Sequence, residues 1–274
     1  MMITMLRPNK ILLAALIGSV LFASSAEAEL PYAAELSSPV GREAVSQNLL
    51  QDQKALLAKF ETQVSNKLTA DERGKAISHL VQLENASLLK RLNELPNANG
   101  ITKKEADDLL ALLHSHPIVG SEGTRKYDTW DQMIGYCFGR AAFVHWQLLS
   151  SGVEGSQIGK VFAVGDMTQA KLGGHWDYHV ATTVRGIDGS WWVIDGLMKE
   201  VMKLDDWMKT VNEFSMTPSQ PKLVFTFSDP IKLYATPGAY DEEKLSIPQY
   251  RGYFKDLFAW FKSQKPNSVK TNKP

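Results

Sequence analysis

The chain has 274 residues, of which 44% are hydrophobic, and its 30 basic and 30 acidic side chains give a formal net charge of zero. This length and composition fit one or two globular domains. The balanced charge provides no electrostatic attraction to nucleic acid or to an anionic membrane surface, so we expect neither as a partner.

The first 28 residues have the pattern of a secretory signal peptide. Arg7 and Lys10 form a positive n-region, residues 11–23 are apolar, and residues 26–28 (AEA) fit the small-x-small cleavage rule. The apolar run is short for a membrane span, and no later run is long and apolar enough. We therefore predict cleavage after Ala28, a secreted or periplasmic location, and no stable membrane association after cleavage.

Residues 29–118 are predicted to form a helical segment of three helices. Apolar residues recur at helical spacing between residues 42 and 68. Two capping boxes follow, one pairing Thr69 with Glu72 and one pairing Thr102 with Glu105, and each indicates the start of a helix. The segment is either a pro-region that is removed or a permanent helical subdomain.

The sequence changes character over residues 119–240, where Trp, Tyr, Gly and β-branched residues become frequent and the apolar period shortens toward two. Strands are predicted over residues 160–165, 178–186, 190–197 and 222–228, and a short helix over residues 204–214. Residues 241–274 are predicted to form an aromatic amphipathic helix and a polar tail. The predicted fold class is α+β, with the helix after Cys137 packed on an antiparallel sheet.

Cys137 is the only cysteine of the chain, so it cannot form an intrachain disulfide. An odd cysteine in an exported protein is a reactive thiol, an intermolecular bridge or an inert buried residue. Ala141, Val144 and Leu148 share a helical face with Cys137, and Gly152 provides the stop. Cys137 would then lie in the first turn of a helix, where free N–H groups and the helix dipole favour a thiolate.

A thiolate nucleophile needs a base that is oriented by a third group, and His179 and Asp195 are the candidates. They lie on two successive strands joined by the turn at residues 187–189. A two-residue turn would place the two side chains on opposite faces of the sheet. A three-residue loop with Gly189 in the left-handed region places them diagonally on one face, within reach of each other. The hypothesis therefore requires the three-residue loop.

Cysteine, histidine and aspartate in this order match the layout of papain-like and transglutaminase-like acyl-transfer enzymes. Within that group the sequence resembles the bacterial protein-glutaminases, which deamidate glutamine side chains in proteins. The resemblance lies in CFGRA at 137–141, KVFAVG at 160–165, WDYHVA at 176–181, VID at 193–195, and Trp207. It covers about residues 130–240.

The resemblance implies a papain/transglutaminase-like core preceded by the N-terminal helical segment, with Cys137, His179 and Asp195 as the catalytic triad. It implies a protein or peptide substrate, a thioester intermediate, ammonia release, and no cofactor or metal. The oxyanion would be held by the Cys137 backbone N–H and a second donor, for which Gln132 is the candidate. Trp130 and Trp176 are candidate walls of the cleft. The family is made as a zymogen, so residues 29–118 could inhibit the enzyme itself.

The sequence departs from the family pattern in three ways. It lacks the family's additional cysteines, it has Gly196 where the family has proline after the aspartate, and it extends beyond about residue 240. These differences leave the substrate more open than the thiol chemistry. The alternatives are a cysteine peptidase or peptidoglycan amide hydrolase, a transglutaminase, and a non-enzymatic binding module.

Other polar residues near these motifs are assigned structural roles. Arg140, on the helix of the candidate nucleophile, is expected to anchor a loop or a carboxylate. His114 and His116 lie at a helix end and are expected to be solvated. His175 and His179 have a spacing suited to a metal only in a helix, and the alternation of apolar residues there indicates a strand.

Overall fold

The structure is a computed structural model, and it describes residues 40–95, 100–127, 136–169, 174–227 and 248–263. Within these residues the α-helices are α1 (Val40–Gln63), α2 (Ala70–Asn93), α3 (Lys103–Ser115), α4 (Ser121–Arg125), α5 (Cys137–Ser150), α6 (Leu204–Asn212) and α7 (Pro248–Ser263). The strands are β1 (Ile158–Gln169), β2 (Gly174–Arg185), β3 (Trp191–Ile194), β4 (Met202–Lys203) and β5 (Val224–Phe227). The predicted signal peptide and its cleavage site lie outside the described residues. None of the described helices has the length and apolar character needed to cross a membrane.

Both predicted capping boxes are confirmed, and they begin helices α2 and α3. The Thr69 hydroxyl accepts a hydrogen bond from the Glu72 N–H, and the Glu72 carboxylate accepts one from the Thr69 N–H at 2.9 Å. Thr102 and Glu105 form the same pair at the start of α3. Each cap satisfies backbone donors that the first turn leaves free, which stabilises the helix by about 1 kcal/mol.

The five described strands form one antiparallel sheet in the order β4-β3-β2-β1-β5. The predicted strands are confirmed, but β1 and β2 are longer than expected. β1 continues past Gly165 through an irregularity in register between Val164 and Met167, and Gly165 has a φ of +143° there. The bulge interrupts the alternation of apolar residues, so the sequence pattern ended the strand too early. The two-residue strand β4 is too short to produce a pattern.

Both faces of the sheet are covered by helices, because apolar side chains alternate along the two central strands. Phe162 and Val180 belong to the cluster that packs against α3, α5 and α7. Ala163 and Ala181 belong to the cluster on the opposite face, against α2 and α6. The predicted α+β fold, with a helix packed on an antiparallel sheet and a helical segment before it, is therefore confirmed.

Helix α2 is part of the core rather than an appendage. Its Leu88 and Leu92 are buried in the cluster that contains Ala181. The side chain of Asn85 binds both backbone groups of the edge at β5: its Nδ2 donates to the Leu223 carbonyl and its Oδ1 accepts from the Phe225 N–H, each at 2.9 Å. Helix α2 thereby covers the free edge of the sheet.

Helix α3 packs on the opposite face, where its Leu110 and Leu113 are buried with the residues of α5. Just before it, Ile101 joins the end of the β2–β3 hairpin. The Ile101 N–H donates to the Arg185 carbonyl at 2.9 Å, and the Ile187 N–H donates to the Ile101 carbonyl at 3.0 Å. The domain boundary at residue 118 stays a prediction. The helices before it and the sheet after it share one core.

Candidate active site

Cys137 is the first residue of α5, at the position predicted from the sequence. Its side chain is half-buried, whereas the following residues from Phe138 to His145 are buried. At this end of the helix, backbone N–H groups lack helical acceptors and the positive end of the helix dipole faces the first turn. The arrangement provides a thiol that solvent can reach on a rigid support.

The helix that begins with Cys137 is fixed to the strand that carries His179. The Thr182 hydroxyl on β2 donates to the Ala141 carbonyl of α5 at 2.6 Å. From the other side, Tyr253 of α7 packs against Gly139, where a β-carbon would collide with the tyrosine hydroxyl. Only glycine at position 139 allows this approach, so the first turn of α5 is held between the sheet and α7.

The loop between β2 and β3 has the three residues that the hypothesis requires. Arg185 pairs with Trp191, and the Gly186 N–H donates to the Ser190 carbonyl at 2.7 Å, which leaves residues 187–189 as the loop. Gly189 has a φ of +81°, in the left-handed region that favours glycine. The predicted loop is thus confirmed, and its register places Asp195 on the same face as His179.

His179 and Asp195 form a buried hydrogen bond. The His179 Nε2 and the Asp195 Oδ2 are 2.8 Å apart, and the two residues are only 2% and 3% exposed. Asp195 accepts two further hydrogen bonds, from the Leu197 N–H to Oδ1 at 3.0 Å and from the Trp207 indole N–H to Oδ2 at 2.8 Å. Three donors therefore fix the orientation of one carboxylate.

Burial alone would raise the pKa of Asp195, but its environment lowers it below the usual value. The charge of His179 and the hydrogen bonds from His179, Leu197 and Trp207 outweigh the burial. Asp195 is therefore ionised at neutral pH, although its side chain is buried.

Burial also acts on His179, where it lowers the pKa, but other contributions outweigh it. The charge and hydrogen bond of Asp195, and then those of Cys137, raise the pKa of His179 to about 10. Since Nε2 is bound to Asp195, the ring presents Nδ1 to the Cys137 thiol. His179 thus connects Cys137 to Asp195 and is suited to carry a proton between a thiol and a leaving group.

The structure describes the predicted cleft residues only in part. Trp130 and Gln132 lie outside the described residues. Trp176 lies on β2 opposite Met167, but its side chain also lies outside the description. These three assignments stay predictions, as does the role of the Cys137 backbone N–H.

Arg140 anchors a loop, as predicted. Its Nε donates to the Val119 carbonyl at 3.1 Å and its Nη2 donates to the Thr124 hydroxyl at 3.2 Å. A β-carbon at Gly196 would lie 2.6 Å from Cδ of Arg140. The Arg140 side chain therefore occupies the space beside the residue after Asp195, and a larger residue at position 196 would require it to shift.

The expectation that His116 is solvated was wrong. The ring is 4% exposed, its Nδ1 accepts the N–H groups of Ile118 and Val119 at 3.2 Å, and it packs between Phe143 and Trp260. Burial lowers the pKa of His116 to about 4. The sequence around His116 did not indicate this burial, because Trp260 comes from helix α7 more than a hundred residues later.

Trp207 is the site residue whose role the sequence reasoning missed. The sequence motifs included it only as one element of the resemblance. Its position on the buried face of a short amphipathic helix was a signal of burial, not of a contact with Asp195. The contact arises because α6 starts directly after β4, which pairs with β3.

Cys137, His179 and Asp195 lie together in the fold, as the sequence motifs predicted. A family model for glutamine deamidases, described as "Glutaminase", matches residues 118–211. The resemblance to the protein-glutaminases that the motifs predicted is thereby confirmed for this part of the chain.

Several solved structures of protein-glutaminases are similar to the chain. The NMR structure of protein-glutaminase from Chryseobacterium proteolyticum is 16% identical, with 64% of this chain and 94% of that chain covered and a TM-score of 0.39. A crystal structure of protein-glutaminase is 18% identical, covering 52% of this chain and 79% of that chain, with a TM-score of 0.38. A crystal structure of pro-protein-glutaminase is 15% identical, covering 66% of each chain, with a TM-score of 0.39. No curated protein matches the chain.

Proposed function

We propose that this chain is an exported cysteine amidohydrolase that deamidates glutamine side chains of proteins to glutamate and releases ammonia. The observation that carries the proposal is the buried hydrogen bond between His179 and Asp195, with Cys137 bound to the same imidazole. The family match supports the choice of glutamine as the substrate, since residues 118–211 include all three side chains.

In the proposed mechanism, Cys137 is the nucleophile and His179 the general acid and base. The thiolate attacks the carboxamide carbon of glutamine, and the imidazolium of His179 then protonates the departing nitrogen, so that ammonia leaves. Neutral His179 next takes a proton from water, which attacks the thioester and releases glutamate with the Cys137 thiol restored. Asp195 keeps the imidazole oriented in both steps.

The developing oxyanion needs donors placed before the reaction starts. We assign the Cys137 backbone N–H, at the start of α5, as one donor and Gln132 as the second. Trp130 and Trp176 are assigned to the walls of the cleft that receives the glutamine side chain.

The decisive experiment measures ammonia release from casein and from a blocked glutamine dipeptide. Wild type should release ammonia from both without new peptide termini, and Cys137→Ser should release none. His79→Gln is the control, because His79 is an exposed histidine on α2. Cys137-dependent peptide or cell-wall cleavage without ammonia would instead indicate a peptidase or peptidoglycan amide hydrolase. Incorporation of a labelled primary amine would indicate a transglutaminase.

A non-enzymatic binding module is tested in the same preparations. It predicts that wild type and Cys137→Ala bind a partner equally and that neither turns over any substrate. Rapid alkylation of Cys137 by iodoacetamide at mildly acidic pH, abolished in His179→Gln, would contradict this alternative. This follows because an inert thiol is not activated by a neighbouring imidazolium and is alkylated slowly at this pH.

Export and self-inhibition are further parts of the proposal. We propose cleavage after Ala28 and a secreted or periplasmic enzyme, which mass spectrometry of the exported protein can test. We also propose that α2 and α3 are permanent and that any inhibitory pro-region ends before Thr69. This limit is supported by the burial of Leu88 and Leu113 in the clusters on the two faces of the sheet.

A further inference from the structure

A buried tryptophan contacts the triad aspartate but has no part in the mechanism above. Trp207 is fully buried on α6, and its indole N–H donates to Oδ2 of Asp195, the same oxygen that is bound to Nε2 of His179. We propose that Trp207 is a positioning residue that holds the Asp195 carboxylate toward His179. The inference rests on the proposed function only in taking Cys137, His179 and Asp195 as the working site.

The carboxylate needs external support because of its position in the chain. Asp195 follows the last residue of β3 and precedes Gly196, so its backbone is at the end of the ladder. The Leu197 N–H restrains Oδ1 from the following turn, and the Trp207 N–H restrains Oδ2 from a separate helix. Rotation of the carboxylate away from His179 must break both charge-assisted hydrogen bonds inside a buried site.

The position of Trp207 is itself fixed by packing. Strand β4 pairs with β3, since Lys203 is opposite Trp192, and α6 begins at the next residue, Leu204. Leu204, Met208 and Val211 are buried against the sheet beside Trp207. The Trp207 ring also packs edge-on to Phe225 at 5.7 Å between centroids. Because the indole cannot move independently of the sheet, its N–H is a rigid reference for the carboxylate.

The indole also lies close to the imidazole. The ring centroids of Trp207 and His179 are 6.1 Å apart, with an angle of 32° between the ring planes. The apolar ring therefore helps to keep water from the His179–Asp195 hydrogen bond, which is stronger in a dry environment. The N–H and the ring can be separated experimentally, because phenylalanine and benzothienylalanine retain an aromatic ring without a donor.

The test compares Trp207→Phe with Trp191→Phe. Trp191 is a matched control, because it is buried on the same face of the sheet and its indole N–H donates to the Leu92 carbonyl at 3.2 Å. For ammonia release, Trp207→Phe should lower kcat roughly tenfold with KM changed less than about twofold, as expected for the loss of one hydrogen bond to a charged group. Trp191→Phe should keep the wild-type kcat.

Two readouts do not depend on the glutamine substrate. The first is the rate of iodoacetamide alkylation of Cys137 at pH 6, which should fall roughly tenfold in Trp207→Phe and stay at the wild-type value in Trp191→Phe. The second is the downfield imidazole N–H proton of His179 in NMR spectra, identified by its loss in His179→Gln. This proton should broaden through exchange in Trp207→Phe and remain sharp in Trp191→Phe.

If Trp207→Phe does not fold, benzothienylalanine is incorporated at position 207, because it has the shape of tryptophan with sulfur in place of the N–H. If Cys137 is alkylated at the wild-type rate and the His179 imidazole proton is unchanged, in Trp207→Phe or in the benzothienylalanine variant, the positioning role is overturned. The proposed function is not affected by that result. The two claims can also separate in the other direction. If alkylation of Cys137 is slow in the Trp207 variant but the wild type releases no ammonia from any glutamine substrate, the positioning role is supported and the proposed function is contradicted.

Discussion

Asp195 lies diagonally across the β2–β3 hairpin from His179, and the two side chains meet at 2.8 Å only because the connecting loop has three residues. A register shifted by one residue would turn Asp195 to the opposite face. Gly189, with its positive φ, closes this loop. Gly189 therefore favours the loop whose register brings the Asp195 carboxylate to the His179 imidazole.

We predict that Gly189→Ala destabilises the protein by about 1 kcal/mol, because a β-carbon strains a backbone with positive φ. Denaturant unfolding measures the effect. Gly155→Ala is the matched control: the nearest side-chain atom to a β-carbon there is 3.9 Å away and no positive φ is involved. Equal stability of the two variants would contradict the left-handed conformation at residue 189.

We predict that Asp195→Asn lowers kcat/KM roughly 10²- to 10⁴-fold, the usual range for the loss of a positioned acid–base function. The pKa of His179 is about 10 in large part because of the Asp195 charge, so removing this charge lowers it. The imidazolium then loses its proton at lower pH, and because it must protonate the departing nitrogen, the alkaline limb of the kcat/KM profile moves to lower pH. Asp52→Asn, at an exposed aspartate on α1, should leave the profile unchanged.

The same histidine should make the stability of the protein depend on pH. The pKa of His179 is raised from near 6.5 to about 10 in the folded state, so the folded chain holds a proton that the unfolded chain loses between these values. This contribution to stability is fully present below about pH 6.5 and is lost as the pH rises through about 10. Thermal or denaturant unfolding at pH 6 to 10 measures it.

The prediction is checked by comparing the free energy of unfolding of wild type with that of His179→Gln across the pH range. The stability of wild type should decline more steeply with rising pH than that of His179→Gln, and His79→Gln should decline like wild type. Parallel curves for all three proteins would mean that His179 has an ordinary pKa in the fold, contrary to its buried contact with Asp195.

The local features of the site could be predicted from the sequence because short patterns determine them. The Thr69 and Thr102 caps, the helix start at Cys137 and the loop closed by Gly189 each depend on a few consecutive residues. The burial of His116 and the contact of Trp207 with Asp195 depend on how distant helices pack, which no local pattern encodes. In the sequence, Asn85 has the pattern of a polar position on an amphipathic helix. Its hydrogen bonds to the edge at β5, more than a hundred residues later, are not visible in that pattern.

We predict that the helical segment cannot be removed as a block. A chain beginning at Thr69 should fold with reduced stability, because it lacks Phe60 of α1 and Val64 just after α1, which belong to a small cluster against α2 and β5. A chain beginning at residue 119 should not fold cooperatively, since it exposes the apolar surfaces that α2 and α3 cover on both faces of the sheet.

Circular dichroism and thermal unfolding of the two truncated chains measure this difference, and Asn85→Ala in the full chain is the point-mutation counterpart. This variant leaves the Leu223 carbonyl and the Phe225 N–H without their side-chain partner, at a cost of about 1–3 kcal/mol. Ser87→Ala, at an exposed position on the same helix, should be nearly neutral. A folded and active chain beginning at residue 119 would contradict the prediction and make all of residues 29–118 a removable pro-region.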